Sequence, residues 1–162
     1  MSTLQIRSAG PKDCGTVLSL IRELAVYEKL AHEVVATEAT LRASLFENPT
    51  GAHAVIAELD GRAVGFALYF FNFSTFIGKP GLYLEDLYVL ESERGSGIGL
   101  KLLQYLARIA LEKDCARMEW SVLDWNRPAI DFYEKLGAKP MSEWTIFRMV
   151  EEKFKALAQR KL

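Results

Sequence analysis

Residues 83–100, YLEDLYVLESERGSGIGL, join an apolar strand pattern to a helical pattern through a glycine-rich turn. Two features set this segment apart from ordinary core sequence. Adjacent carboxylates, Glu85 and Asp86, interrupt the strand, and glycines alternate at positions 95, 97 and 99 where the helix begins. Such a turn presents unpaired backbone amides and the positive end of the helix dipole, which suits a phosphate or pyrophosphate group. The segment is therefore predicted to form a cofactor cradle and part of an active site.

The glycine turn does not match two common nucleotide-binding motifs. The dinucleotide fingerprint would place its third glycine at Leu100, and the phosphate-loop motif fails because Lys101 is followed by Leu102 rather than by Ser or Thr. The alternative to a ligand site is a turn that only packs a helix onto a strand. The turn alone therefore leaves its ligand open.

Composition limits the class of protein. The chain has 162 residues, 50% of them hydrophobic, which predicts one globular domain over residues 1–162. The net charge is -1 without a basic cluster, so no nucleic-acid partner is expected. No signal-peptide pattern or run of about 18 apolar residues is present, which favours a cytoplasmic location without a membrane partner. The two cysteines and two histidines have no metal-ligand spacing, so no metal site is predicted.

The remaining sequence predicts alternating strands and helices, hence a mixed α/β fold. Asp60-Gly61 predicts a two-residue hairpin turn, since both positions of such a turn need positive φ. Asp13, Thr37 and Asn126 are predicted helix N-caps, and Asn48-Pro49 and Gly137 are predicted helix ends. Strands are predicted at residues 4–8, 53–59, 62–73, 116–123 and 144–149, with a further strand carrying Glu85 and Asp86. The strand at 116–123 follows a helix and so should run parallel to the one that carries Glu85.

Two strand-helix units together resemble a known superfamily. Arg94, Gly97 and Gly99 lie at the first strand-to-helix turn, and Asn126 and Tyr133 belong to the next unit. This order resembles the GNAT superfamily of acyl-coenzyme-A-dependent N-acetyltransferases. Further segments are similar to its diamine acetyltransferase branch, the spermidine/spermine and thialysine N-acetyltransferases: RELA at 22–25, YE at 27–28, YLED at 83–86, YV at 88–89, DWN at 124–126 and GA at 137–138.

The resemblance implies a single domain with a central, mostly antiparallel sheet, a splayed parallel strand pair and flanking helices. It also implies acetyl-CoA as cosubstrate, without a metal. The pantetheine arm would lie in the slot between the splayed strands, and the pyrophosphate would meet the glycine turn. The implied cofactor-binding residues are Leu87, Tyr88, Val89, Arg94, Gly95, Ser96, Gly97, Ile98, Gly99, Leu100, Asn126 and Ala129.

Two residues are candidates for proton transfer. An alkyl ammonium titrates near ~10.4 and must lose a proton before it attacks a thioester. Glu85 is the predicted base, directly or through water, because a carboxylate in a central strand needs compensation; the alternative is an exposed carboxylate at a strand end. Tyr133 matches the tyrosine that protonates the leaving thiolate in the family. Its position on an apolar helix stripe also fits an ordinary core tyrosine.

Substrate recognition is predicted from acidic and aromatic residues. Asp86 points to the face opposite Glu85 in a regular strand, unless a bulge changes this. The family usually carries tryptophan where Phe76 stands, and a longer acidic segment before Trp144. The predicted substrate-binding residues are Tyr27, Glu28, Phe76, Glu85, Asp86 and Glu143.

The predicted function is transfer of acetyl from acetyl-CoA to the primary amine of a small di- or polyamine or a lysine-like amino acid, by direct attack in a ternary complex. Two alternatives stay open. One is a non-catalytic acyl-CoA-binding regulatory module, and the other is an acetyltransferase that acts on a protein amine. The resemblance also implies a homodimer.

Overall fold

Five strands form one mixed sheet in the computed structural model, which describes residues 2–48 and 50–160. They are β1 (Leu4–Ser8), β2 (His53–Leu59), β3 (Arg62–Ser74), β4 (Lys79–Val89) and β5 (Met118–Trp120), and they pair in this order. The first four are antiparallel, and β5 runs parallel to β4. The mixed α/β prediction is confirmed, and so is the parallel direction of β5, although β5 is shorter than the predicted 116–123.

The hairpin between β2 and β3 turns where the sequence predicts it. Asp60 and Gly61 have φ values of 52° and 78°, the positive φ pair that a two-residue hairpin turn requires. Residues on both strands are fully buried, so the hairpin lies at the centre of the sheet.

Helices cover both faces of this sheet. The first helix, α1 (Cys14–Tyr27), packs on one face, where its buried residues join side chains from β2, β3 and β4. The short helix α2 (Glu38–Arg42) continues as a π-helical turn at Ala43–Glu47. On the opposite face lies α3 (Ile98–Glu112), whose Tyr105 hydroxyl is 3.5 Å from the hydroxyl of Ser8. The centre of the sheet is thus buried on both sides, as its apolar strands require.

The helix caps follow the sequence with one difference. Thr37 caps α2, accepting a hydrogen bond from the Thr40 amide at 3.1 Å. Asp13 stands at the N-cap position of α1, but its carboxylate instead accepts from the Gly10 amide and from Arg7. This ion pair holds the pKa of Asp13 down at about 2. Asn48 ends the π turn, and Pro49 lies outside the described residues.

The chain divides into one compact unit that ends at Leu123 and a second that begins at Asp124. The second contains α4 (Arg127–Lys135) and α5 (Glu151–Ala158). The predicted strand at 144–149 is wrong, because this segment is exposed and forms no strand pairing in the described chain. A strand pattern becomes a strand only where a neighbouring backbone accepts its hydrogen bonds. The assignment of residues 1–162 to a single domain stays a prediction.

Candidate functional site

The parallel strand pair opens where the acidic residues begin. The register between β4 and β5 runs from Leu82 opposite Met118 to Leu84 opposite Trp120, and it ends there. Strand β4 continues to Val89, still paired with β3 on its other side. Residues 85–89 of β4 therefore form an open strand edge within the first unit, as the expected splay requires.

Two backbone amides lie on this open edge. The Leu90 amide donates to the Val64 carbonyl at 2.9 Å, which fixes the alternation of hydrogen bonding between β3 and β4. By that alternation Tyr88 directs its amide toward β3, whereas Leu87 and Val89 direct theirs to the open side. Of the three residues predicted to offer backbone groups, Leu87 and Val89 are thus the available donors.

Glycine 65 makes the pairing beside this edge possible. A Cβ atom built on Gly65 would lie 2.7 Å from the Tyr88 carbonyl oxygen, closer than any real Cβ contact. A larger residue would therefore displace β3 or β4 next to Leu87 and Val89. Sequence reasoning did not select Gly65, although a glycine inside a β-branched and aromatic run is a recognised signal for close backbone approach.

A β-bulge determines where Glu85 and Asp86 lie on β4. Leu68 pairs with Asp86 and Tyr69 pairs with Leu84, so Glu85 is an extra residue without a partner on β3. In a regular strand Asp86 would share a face with Leu84. The bulge shifts Asp86 to the face that carries Tyr88 and contacts α1. Glu85 remains exposed.

Asp86 is the perturbed carboxyl group of the site. Its pKa is raised from 3.8 to about 6, first by burial and then by repulsion from Glu85 and Glu28. Glu28 follows the last residue of α1, and burial raises its own pKa as well. Burial therefore disfavours the charged form of Asp86. The sequence had predicted this effect for Glu85, which is exposed. We call Glu28, Glu85 and Asp86 the acidic cluster; none of the three forms a salt bridge within the described residues.

The glycine turn forms the second part of the site. Gly95 and Gly97 have φ values of 80° and 83°, which favour glycine, and a Cβ atom on either would point into open space. Gly97 is the N-cap of α3, without a side-chain cap or an acidic residue in the first turn. The helical hydrogen bonds begin with Lys101 donating to Gly97 at 3.1 Å. The amides before Lys101 and the positive helix end thus fit a pyrophosphate group.

Arg94 links this turn to the open edge and to α1. Its Nε atom donates to the Val89 carbonyl at 3.0 Å. Its guanidinium carbon lies 4.2 Å from the centre of the Tyr27 ring and 5.4 Å from that of Tyr88. The exposed cation is thereby oriented beside the glycine turn by two rings and one carbonyl oxygen.

The second unit carries four of the predicted residues: Asn126, Ala129, Tyr133 and Glu143. Asn126 is buried and caps α4, accepting a hydrogen bond from the Ala129 amide at 3.4 Å. Tyr133 is partly buried on α4, with its ring 5.5 Å from that of Phe132, and Glu143 is exposed. In the first unit, Phe76 is 100% exposed in the turn between β3 and β4.

A sequence profile of the acetyltransferase (GNAT) family matches residues 19–138. The chain belongs to the GNAT acetyltransferase family. Thialysine N-epsilon-acetyltransferase of Mus musculus is 41% identical over 99% of this chain and 100% of its own length. L-ornithine N5-acetyltransferase of Arabidopsis thaliana is 30% identical over 94% of this chain and 87% of its own length. The resemblance drawn from the sequence is confirmed, and this GNAT protein is an acetyl-CoA-dependent N-acetyltransferase.

Solved structures share the fold of this GNAT protein. An integron cassette protein from the mobile metagenome of V. cholerae superimposes with a TM-score of 0.81 and 28% identity, over 97% of this chain and 98% of its own. The aminoglycoside N-acetyltransferase AAC(6')-Iy, solved in complex with CoA, gives a TM-score of 0.74 at 22% identity, over 93% of this chain and 97% of its own. The second match supports the fold alone.

Residues 2–48 and 50–160 contain neither a metal-binding cluster nor a membrane-spanning helix. No group of three or more His, Cys, Asp or Glu side chains is placed to hold a metal ion in that part of the chain. None of its helices is both long and apolar enough to cross a membrane.

Proposed function

We propose that this GNAT protein transfers the acetyl group of acetyl-CoA to the primary amine of a small di- or polyamine or a lysine-like amino acid, by direct attack in a ternary complex. The acidic cluster carries the proposal. Three carboxylates that repel one another beside an open strand edge need a cation to offset their charge. A substrate with an ammonium group supplies such a cation. The names of the relatives support this acceptor class: they are thialysine and L-ornithine acetyltransferases and a spermidine/spermine N(1)-acetyltransferase-like protein.

The acidic cluster also suits removal of the amine proton. A carboxylate is a weak base toward an ammonium that titrates near ~10.4, so transfer needs close contact or a bridging water. Glu85 is exposed and stays the proposed base, directly or through water. Asp86 binds the ammonium when its carboxylate is ionised. With a pKa of about 6, it loses this charge, and with it the attraction for the ammonium, as the pH falls below 6. Glu28 adds charge from the end of α1.

The cofactor residues fit the group that the family uses. Bound acetyl-CoA supplies the activated acetyl thioester. The amides of Leu87 and Val89 are free to donate to pantetheine and to stabilise negative charge on the carbonyl oxygen. Arg94 and the amides of residues 95–100 are placed for the pyrophosphate, and Asn126 and Ala129 are proposed contacts from α4.

Tyr133 is the proposed acid that protonates the departing thiolate. A phenol on a well-capped helix is held in a defined position, and α4 has both its Asn126 cap and a Gly137 end with φ of 91°. Phe76 and Glu143 stay predicted substrate contacts. The cytoplasmic location also stays a prediction.

An amine panel with thiol detection tests the proposal. With acetyl-CoA in excess, thialysine, L-ornithine, L-lysine, spermidine and putrescine are expected to release free thiol, and mass spectrometry should find one added acetyl on the amine. Because the acidic cluster attracts cations, Glu28→Gln should raise KM for the amine by roughly three- to tenfold. Val26→Ala, at an exposed site on the same helix, is the matched control.

The panel also separates the alternatives. Tight acetyl-CoA binding without thiol release for any amine would favour a regulatory acyl-CoA-binding module. Thiol release only with peptide or protein amines would favour a protein acetyltransferase. The ratio of kcat/KM values for thialysine and spermidine ranks the two small-molecule classes.

We further propose that the protein works as a homodimer through the segment 141–150. Trp144 is 74% exposed and Phe147 is 93% exposed, and Ile146, Met149 and Val150 are also exposed. Exposed apolar groups of this number in one segment are typical of a surface that another protein covers. A second copy is the occupant, since an unpaired segment with a strand pattern can pair with a symmetry-related sheet edge.

Light scattering of the purified chain tests the assembly. A mass of about twice 18.3 kDa is expected for the wild type, and Phe147→Asp should shift the protein toward the monomer because burying the new charge is costly. The control is Leu111→Asp on α3, another exposed apolar residue outside the segment. A monomeric wild type at tens of micromolar would contradict the proposal.

A further inference from the structure

We propose that Tyr27 is a positioning residue for Arg94 and so belongs to the cofactor side of the site, while its neighbour Glu28 belongs to the amine side. This inference rests on the proposed acetyl-CoA site. It replaces the expectation that both residues of the Tyr27-Glu28 pair bind the amine.

The evidence is the contact between two distant parts of the chain. The Arg94 guanidinium lies 4.2 Å from the Tyr27 ring centre, well within the distance at which a cation and an aromatic ring attract each other. Its Nε atom is already committed to the Val89 carbonyl at 3.0 Å. The ring and the carbonyl together fix two sides of the guanidinium. A side-chain hydrogen bond also joins Arg94 to Tyr88. The remaining terminal N–H groups are the proposed donors for a phosphate oxygen.

Position along α1 separates the two residues. Tyr27 is the last residue of α1 and packs against the buried cluster that includes Tyr88, whose ring centre is 6.4 Å away. Glu28 follows it and raises the pKa of Asp86 by repulsion. One helix end thus supports the pyrophosphate-binding cation with one residue and the acidic cluster with the next.

A free arginine must lose side-chain entropy when it binds a phosphate, and a preordered one has lost it already. Stacking on Tyr27 therefore strengthens cofactor binding without touching the cofactor. Loss of the ring should weaken coenzyme A binding and leave amine binding unchanged. Glu28→Gln should give the reverse pattern.

A double-mutant cycle measures this coupling. Coenzyme A dissociation constants are determined by calorimetry for wild type, Tyr27→Leu, Arg94→Ala and the double variant. Tyr27→Leu should weaken binding roughly three- to tenfold in the presence of Arg94, and by less than twofold in the Arg94→Ala background. Tyr27→Phe keeps the ring and should bind like the wild type, which also covers the case in which Tyr27→Leu fails to fold.

The readouts separate this inference from the proposed function. Equal weakening by Tyr27→Leu in both backgrounds, or loss of binding in Tyr27→Phe, would overturn the positioning role. A rise in KM for the amine with an unchanged KM for acetyl-CoA would return Tyr27 to the amine side. Unchanged coenzyme A binding in Arg94→Ala would instead contradict the proposed cofactor site itself.

Discussion

Replacing Asp86 with asparagine is expected to lower kcat/KM for the amine roughly 10²-fold and, at the same time, to make the protein more stable at pH 7.5. The activity falls because the variant loses the partly buried negative charge that is proposed to bind the substrate ammonium. The variant is more stable because the wild type has a partly buried carboxylate that is ionised at this pH and repelled by neighbouring acids. Opposite changes of activity and stability identify a strained functional group.

The sign of the stability change follows from the pKa. In the folded protein Asp86 titrates at about 6, compared with 3.8 without the burial and repulsion. Between these two pH values the folded state binds more protons than the unfolded state, so wild-type stability falls as pH rises through this window. Above it the folded state carries the whole free-energy cost, on the order of 3 kcal/mol. Asparagine removes that cost.

Three measurements check this expectation. The wild-type kcat/KM should fall on the acid side with an apparent pKa of about 6, and that limb should be weakened in Asp86→Asn. Thermal melts at pH 7.5 should show a higher Tm for the variant, and the difference should shrink toward pH 4. Glu112→Gln, at an exposed carboxylate on α3, is the control and should change neither. A less stable variant, or an unchanged pH profile, would refute the account of Asp86.

Replacing Tyr133 with phenylalanine is expected to lower kcat roughly 10²- to 10³-fold, with KM for acetyl-CoA changed by less than about twofold. The phenol is the proposed proton donor to the leaving thiolate, and a group that acts only in the transition state affects kcat rather than binding. The ring itself is kept, so its packing beside Phe132 on α4 should survive.

Steady-state kinetics with thiol detection measures this effect, and circular dichroism checks the fold. Tyr105→Phe is the matched control, because it removes one phenolic oxygen from α3 outside the proposed site. A donor role also predicts that a cosubstrate with a more acidic thiol leaving group is less affected by the substitution. Full activity of Tyr133→Phe would exclude the tyrosine from proton transfer.

The cradle shows how far local sequence reaches. Gly95 and Gly97 needed positive φ, and α3 begins directly after them, as the alternating glycines predicted. The Asp60-Gly61 hairpin, the Thr37 cap and the Gly137 helix end were equally readable. Each depends on backbone conformations or hydrogen bonds among residues a few positions apart, which the residue types nearly determine.

The segment 144–149 is a case in which local sequence did not predict the structure. Its alternating apolar residues predict a strand, yet the described chain offers them no partner. Pairing depends on which backbone lies alongside, and the sequence of one segment does not contain that information.

The sequence by itself determined the mixed α/β class, the glycine turn and the presence of two adjacent acids, because these follow from periodicity, φ preference and residue identity. Only the tertiary structure decided which acid is perturbed. The bulge at Glu85 shifts Asp86 to the face of α1, where burial and the charges of Glu85 and Glu28 raise its pKa to about 6. The stacking of Arg94 on Tyr27 was also a tertiary result. Both depend on contacts between segments far apart in the chain, and such contacts are set by the packing of the whole sheet rather than by local preference.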